Sequence, residues 1–204
     1  MGLRDWMRNR LLDLAMRQMN DLRPEALSDA RGEVLEVGFG TGLNLAYYPP
    51  HVTSLTALDP NATDGLPAVA ERLSAAPFAV EQCRLRADGE LPFDAGRFDT
   101  VVTTWTLCSI PDPERALQEM RRVLKPGGHY LFMEHGRASV ESTARWQDRI
   151  NPLWRRLSDG CNVNRSIDRI VEGSGFELDH LERFRHRGPA VFAHMYRGCA
   201  RHSG

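Results

Sequence analysis

The sequence predicts an α/β fold built on a parallel sheet with helices on both faces, and three observations carry that reading. Four short apolar runs, Val34 to Val37, Ser54 to Leu58, Thr100 to Thr104 and Tyr130 to Met133, alternate with stretches of helical character. The first run passes directly into a glycine ladder, "EVLEVGFGTG", which marks a tight turn out of a strand into a helix. Near the end, Phe176 to Phe184 and Ala190 to Met195 read as two strands around the turn Arg187-Gly188-Pro189, a connection short enough to make them antiparallel neighbours. The 204 residues fit one domain able to bury its own core.

Taken in order, the elements have local reasons. From Leu3 to Leu22, Leu3, Met7, Leu11, Leu14 and Ala15 recur at helical spacing, and Leu12, Met16 and Met19 widen the stripe. This predicts an amphipathic helix packed on the domain, with a lid over the ligand or a membrane-surface contact as sharper alternatives. Asp5, Asp13 and Asp21 dilute its basic rim and favour packing. After the third run, Asp112 is placed to cap a helix, Pro113 suits its first turn, and Ala116, Leu117, Met120, Val123 and Leu124 share one face. Arg121, Arg122 and Lys125 complement its C-terminal dipole before Pro126-Gly127-Gly128. Another short helix follows Ser166 and ends at Gly173-Ser174-Gly175. The domain is read as a helical lid over 1–30, a ligand-binding core over 31–136, and substrate-side helices with the final strands over 137–204.

Composition excludes several classes. Lys plus Arg number 26 against 27 Asp plus Glu, so no global field draws the chain to nucleic acid. Cys83, Cys108, Cys161 and Cys199 lie far apart, with no CxxC pair and no close Cys/His spacing, which suggests neither a metal nor a disulfide framework. The longest uncharged apolar run, around Thr100 to Ile110, is too short to span a bilayer, and the N-terminus lacks an apolar signal segment. Gly2 is followed by Trp6 where a myristoylation signal wants Ser or Thr. A soluble, cytoplasmic protein with reduced thiols is expected.

The glycine ladder carries the chemistry. Gly38, Gly40 and Gly42 allow a tight turn and let backbone touch a ligand directly. The dinucleotide pattern would need its third glycine at position 43, which is Leu43. Glu36, just before the ladder, can organise the turn and receive an ammonium group, a charge that pyrophosphate would not tolerate. Asp59 ends the second run, where the next strand delivers a carboxylate to a ribose diol. Asp88, in "RADGELPF", can accept from an adenine amino group. Each has a plain alternative: a GxGxG is often only a turn, Asp59 before Pro60 can end a strand, and Asp88 can cap a bend. Together and in order they describe a nucleoside with an amino-acid tail.

The segments "VLEVGFGTG", "LDPN", "ADGELPF", "FDTVVTTWTLCSIPD" and "RRVLKPGG" resemble, over most of the chain, the class I S-adenosylmethionine-dependent methyltransferases. The resemblance implies a Rossmann-like, doubly wound, three-layer α/β/α domain whose seven-stranded sheet has an antiparallel last strand. It places Glu36, Gly38, Gly40 and Gly42 along the methionine end of S-adenosylmethionine, Asp59 at the ribose and Asp88 at the adenine. Thr104 and Trp105 would face the methyl group or the substrate. Phe39, where the family commonly has a small residue or Cys, is expected in the pocket wall. A narrower set, "NLAYYPP", "TLCSIPD", "FMEHG" and "WQDRINPLWRRLSDGCNVNR", is similar to a methyltransferase-like branch that includes animal enzymes methylating small thiols. Those animal members carry a hydrophobic N-terminal anchor, and this chain begins without one, so membrane attachment is not expected to transfer.

Methyl transfer from a sulfonium requires alignment, exclusion of water and a nucleophile. A thiol acceptor, titrating near ~8.5 when free, needs little acid–base machinery. His135, beyond the Tyr130 to Met133 run, is the candidate to accept the thiol proton or to stabilise the thiolate, a structural histidine being the plain alternative. Cys108 reads as pocket lining or buried filler. Tyr48, Trp146 and Trp154 are candidates for an aromatic wall favouring the sulfonium, or for ordinary packing. Asp159 reads as the first residue of an Asp-Gly turn, and Arg155, Arg156 and Arg165 as solvated charges. The function expected is S-methylation of a small thiol. The alternatives are methylation of a lipid, quinone or secondary metabolite at N, C or O, and a non-catalytic cofactor-binding domain regulating a partner.

Overall fold

The computed structural model describes residues 3–60, 66–85, 90–158 and 160–202. Asp88 and Asp159 lie outside the described residues. In chain order the elements are α1 (Leu3–Arg17), α2 (Arg23–Ala26), β1 (Gly32–Val37), β2 (Val52–Asp59), α3 (Pro67–Ala75), β3 (Ala79–Arg84), β4 (Phe98–Thr104), α4 (Pro113–Val123), β5 (Leu124–His135), α5 (Glu141–Leu157), α6 (Ile167–Gly173), β6 (Phe176–Arg185) and β7 (His194–His202). They form one seven-stranded sheet in the order β3-β2-β1-β4-β5-β7-β6. The first five strands are parallel, and β7 runs antiparallel to both β5 and β6. This is the Rossmann-like methyltransferase topology, with its order reversing at β1 and β4.

Alternation along the strands shows why helices cover both faces. Leu35, Val37, Val101, Tyr130, Phe132 and Ala200 pack with Leu117, Met120 and Val123 of α4 and Ile167 and Val171 of α6. Their neighbours Val34, Val102, Leu131 and Cys199 point the other way, packing with Leu27, Leu66 and Val69. Successive strand residues thus supply two separate cores, as a period of two requires when both faces are buried. Helix α4 forms as its sequence predicts: the Asp112 side chain accepts from the Arg115 N–H at 3.0 Å, and Pro113 occupies the first turn. It stops at Val123, before Pro126-Gly127-Gly128, because Leu124 already pairs with Phe98 in the sheet.

Three expectations are corrected. The strand after β6 starts at His194, not Ala190, since Ala190 to Ala193 close turns of their own, with Phe192 N–H on Pro189 O and Ala193 N–H on Ala190 O. The sheet has an edge strand, β3, that the apolar runs did not mark, because Ala79–Arg84 is largely exposed. The N-terminal helix ends at Arg17 instead of continuing to Leu22, and its Met7, Leu11 and Leu14 are 51, 66 and 65% exposed, so that stripe is not packed on the domain. A polar cluster holds the helix: Asp13 accepts from Thr41 Oγ1 at 2.6 Å, from Arg72 Nη1 at 2.7 Å and from Arg17 Nε at 2.9 Å.

Candidate active site

The carboxyl ends of β1, β2, β4 and β5 bring the polar residues together, as the reversal of strand order in an open α/β sheet dictates. The loop after β1 is tied down by Gly38 N–H and Phe39 N–H to Leu58 O, at 2.8 and 3.2 Å. Gly38 adopts φ +82°, and a Cβ there would sit 2.1 Å from Thr106 Oγ1, so the glycine lets this loop lie against the segment following β4. Gly40, at φ +57°, has nothing closer than 3.9 Å to the position of an added Cβ. Its N–H donates to Asp59 Oδ2 at 2.8 Å. Gly40 therefore lines an open cradle at the sheet edge, beside the Asp59 carboxylate. Gly42, at φ +74°, opens not an α-helix but a 3₁₀ turn over Leu43–Ala46. Phe39 is buried in the second core cluster, its ring packed under Gly42.

Glu36 anchors a buried network that the sequence did not reveal. Tyr48 OH donates to Glu36 Oε2 at 2.8 Å and Asn44 Nδ2 to Oε1 at 2.8 Å. Asn44 also donates to Thr104 Oγ1 at 3.0 Å, and its own Oδ1 accepts from Arg23 Nη1. Burial pushes the Glu36 carboxyl up to about 7, against the opposing Tyr48 and Asn44 bonds. Arg23 is itself buried, lying 4.9 Å from the centroid of the Trp105 ring. Trp105 has φ 51°, left-handed backbone at the end of β4. Asn44 and Arg23 each had one readable signal, a polar residue two places after Gly42 and an arginine directly before Pro24, but only the fold joins them.

A second buried carboxylate shapes the loop after β4. Glu134 Oε1 accepts from the N–H groups of Thr106 and Leu107 at 3.1 and 3.0 Å, and burial raises its carboxyl to about 6 despite those bonds. The adjacent His135 ends β5. Its Nε2 lies 3.1 Å from Cys161 Sγ, its Nδ1 is out of water without a partner, and burial lowers the imidazole to about 4. Cys108, His135 and Cys161 offer ligand atoms all within 4.8 Å of one another. Three segments distant in the sequence converge here, a juxtaposition that spacing along the chain does not reveal. Asn162 makes the convergence firm, donating from its N–H at 2.9 Å and its Nδ2 at 3.1 Å to Cys108 O. Cys108 is thus a member of a polar cluster and not apolar filler. The contact with Cys108 draws the Cys161 thiol below its ordinary value, with Trp154 and Ser158 adding to it against burial.

The aromatic wall does not form. Tyr48 is spent on Glu36 and packs edge-on to Phe78 at 5.9 Å. Trp154 packs on Phe192 at 4.4 Å beside the thiol cluster, and Trp146 is 57% exposed under Arg149. Arg165 is not a solvated charge either, since its Nη1 donates to Leu107 O and it is half-buried. A cavity of about 690 Å³ opens between α1, Thr41 and the start of α3, lined by Met7, Leu11, Leu14, Leu66 and Val69. No helix among the described residues is long and apolar enough to cross a membrane.

The sheet order, the open glycine turn and the acidic residues at the ends of β1 and β2 define a class I S-adenosylmethionine-dependent methyltransferase domain. A family model described as a methyltransferase domain matches residues 6–181, and the chain belongs to that family. It is 37% identical over 172 residues to the human thiol S-methyltransferase TMT1B, covering 78% of this chain and 66% of that protein. A phosphatidylethanolamine N-methyltransferase of Cereibacter sphaeroides is 36% identical over 115 residues, 55% of this chain and 56% of that one. A solved S-adenosylmethionine-dependent methyltransferase from Methanosarcina mazei shares the fold at TM-score 0.61 and 19% identity, over 83% of this chain and 91% of its own. The chain spans less than two thirds of the length of the thiol S-methyltransferases it matches, 62 to 66%.

Proposed function

We propose that this protein transfers a methyl group from S-adenosylmethionine to the sulfur of a small thiol. The observation that carries the reading is the similarity to proteins named thiol S-methyltransferases across most of this chain. The site's chemistry supports it. The cofactor, when bound, supplies an activated methyl group on a sulfonium. Gly40 leaves backbone open to it, Gly38 lets the loop close against Thr106, Asp59 offers a carboxylate to its ribose, and Glu36, buried and raised to about 7, holds the Tyr48 and Asn44 side chains at its amino-acid end. Thr104 is held by Asn44 at the end of β4, next to Trp105, and that edge is the place for the acceptor. His135 is a weak base, since burial keeps it neutral until about pH 4. A strong base is not what a thiol requires: its free pKa of ~8.5 already gives a few per cent thiolate near neutral pH. His135 acts in this reading as a neutral neighbour to sulfur, with Cys108 and Trp154 beside it.

A second reading is favoured by the phosphatidylethanolamine N-methyltransferase match and by the exposed apolar side chains of α1: the acceptor is an amine of an amphiphile. The deciding experiment is turnover of methyl-labelled S-adenosylmethionine against hydrogen sulfide, alkyl and aryl thiols, and their hydroxyl and amine analogues. Label moving only to thiols supports the proposal. Label moving to amines replaces it with the second reading, and label moving to hydroxyls overturns both. Cofactor binding without transfer to any of them points to a regulatory domain.

A further inference from the structure

We propose that Cys108, His135 and Cys161 form a binding site for a thiophilic divalent cation, zinc in first place, whose fourth coordination position the thiol reading assigns to the acceptor's sulfur. The cation site stands on geometry alone, and only the acceptor half rests on the thiol reading above.

Three soft donors arrive from three separate segments. Cys108 lies in the loop after β4, His135 ends β5, and Cys161 sits between α5 and α6. Their ligand atoms fall within 4.8 Å of one another, and His135 Nε2 is 3.1 Å from Cys161 Sγ. A tetrahedral zinc with bonds of ~2.3 Å to sulfur and ~2.0 Å to nitrogen needs donors roughly 3.5–4 Å apart, so small side-chain adjustments suffice. Two thiolates and one imidazole are a zinc-type donor set, and three protein ligands leave one position for an outside donor, the arrangement of catalytic sites.

The surroundings are built to hold the donors in place. Asn162 clamps Cys108 O through two hydrogen bonds and is itself fixed by Asn151, whose Nδ2 donates to Asn162 Oδ1 at 3.1 Å. Glu134 fixes the other side through the Thr106 and Leu107 N–H groups. His135 presents Nε2 to the Cys161 sulfur while its Nδ1 is buried without a hydrogen bond, so the ring's close polar contact is the thiol.

The consequence for the reaction balances simply. The two cysteine protons leave when the cation binds, and the acceptor R–SH loses its proton on ligation. Its sulfur then forms a bond to the methyl carbon as the carbon–sulfonium bond breaks, the electron pair staying on S-adenosylhomocysteine. The product is a neutral thioether, a weak ligand that departs.

The test is titration of reduced, chelator-treated full-length protein with Co(II) under anaerobic conditions, followed by displacement with Zn(II). The expected result is one ion per chain, with thiolate-to-cobalt charge transfer and the intense visible bands of a tetrahedral site, displaced by zinc. Cys161→Ser, Cys108→Ser and His135→Ala lose these bands, while Cys199→Ser, at the separate His129, Asp179 and Cys199 cluster, keeps them. Because a variant can misfold, the wild-type spectrum decides by itself, and Cys161→His offers a ligand swap with a shifted spectrum. Absence of stoichiometric cobalt binding overturns the proposal, as does a cobalt spectrum retained in all three ligand variants. Ethanethiol added to the cobalt protein should shift the charge-transfer band, and an unshifted band overturns the acceptor half. Cobalt binding without thiol turnover leaves the cation site standing and sinks the thiol reading, so the two failures are distinguishable.

Discussion

Replacing Glu36 with Gln should flatten the dependence of stability on pH. The carboxyl is fully buried, and burial holds it at about 7 against an ordinary 4.5. An acid whose pKa is raised on folding contributes its full stability below the unfolded value, where both states are protonated. That stability is lost as pH rises toward and through the folded value, because the unfolded chain ionises freely and the folded one resists. At 1.36 kcal/mol for each pH unit between the two values, the loss is roughly 3 kcal/mol near pH 8 and about 1 kcal/mol near pH 5. The wild type should therefore lose roughly 2–3 kcal/mol more than Glu36→Gln between those conditions. Glu134, raised to about 6, titrates in both proteins and cancels in the difference. Urea denaturation of ligand-free protein across this range measures it. Parallel profiles, within about 0.5 kcal/mol, would refute a carboxyl held protonated by burial.

Other outcomes follow from the same geometry. Asn44→Ala removes the bridge between Arg23 and Glu36; one lost hydrogen bond to a charged group at ~1.5–3 kcal/mol and one to a carboxyl held largely protonated at ~0.5–1.5 kcal/mol predict a destabilisation of roughly 2–4.5 kcal/mol by urea midpoint at mildly acid pH, and less than about 1 would show that the network relaxes freely. Gly38→Ala drives a Cβ into Thr106 and should unfold readily, whereas Gly40→Ala meets only open space and should cost about 1 kcal/mol while weakening S-adenosylmethionine binding in calorimetry. Equal cofactor affinity in wild type and Gly40→Ala would remove that turn from the binding site. Asp13→Ala releases the cluster that holds α1, so limited proteolysis should cut the N-terminal helix faster with little change in the core; an unchanged cutting rate would assign the docking elsewhere. Asp13, with burial outweighed by its Arg72 and Thr41 bonds, sits at about 2, so this docking persists through mild acid and fails only as pH falls toward that value.

The sheet and the glycine turn were legible in the sequence because both depend on local patterns. Val34 to Val37 and Thr100 to Thr104 are buried on two faces and therefore read as continuous apolar runs. Asp112 with Pro113 announces α4 wherever it occurs. Edge strand β3 was not legible, since four of its six residues are exposed and β-pairing there is set by β2. The exposed stripe of α1 shows the reverse limit: helical period predicts an apolar face, but not what covers it. Cys108, His135 and Cys161 stood too far apart in the chain for any spacing rule, and their meeting depends on β4 and β5 being neighbours and on Asn162 pinning the later loop. Tyr48 misled because an aromatic near a glycine loop suggests a wall, while its hydroxyl was needed to satisfy a buried carboxylate.

The most direct test of the account is the fate of the methyl group on a molecule that offers sulfur and nitrogen together. Purified protein is incubated with methyl-deuterated S-adenosylmethionine and cysteamine or an N-alkyl analogue, and the product is read by fragmentation mass spectrometry. The account predicts label on sulfur alone. Label on nitrogen, at a rate equal to or above that on sulfur, would contradict it.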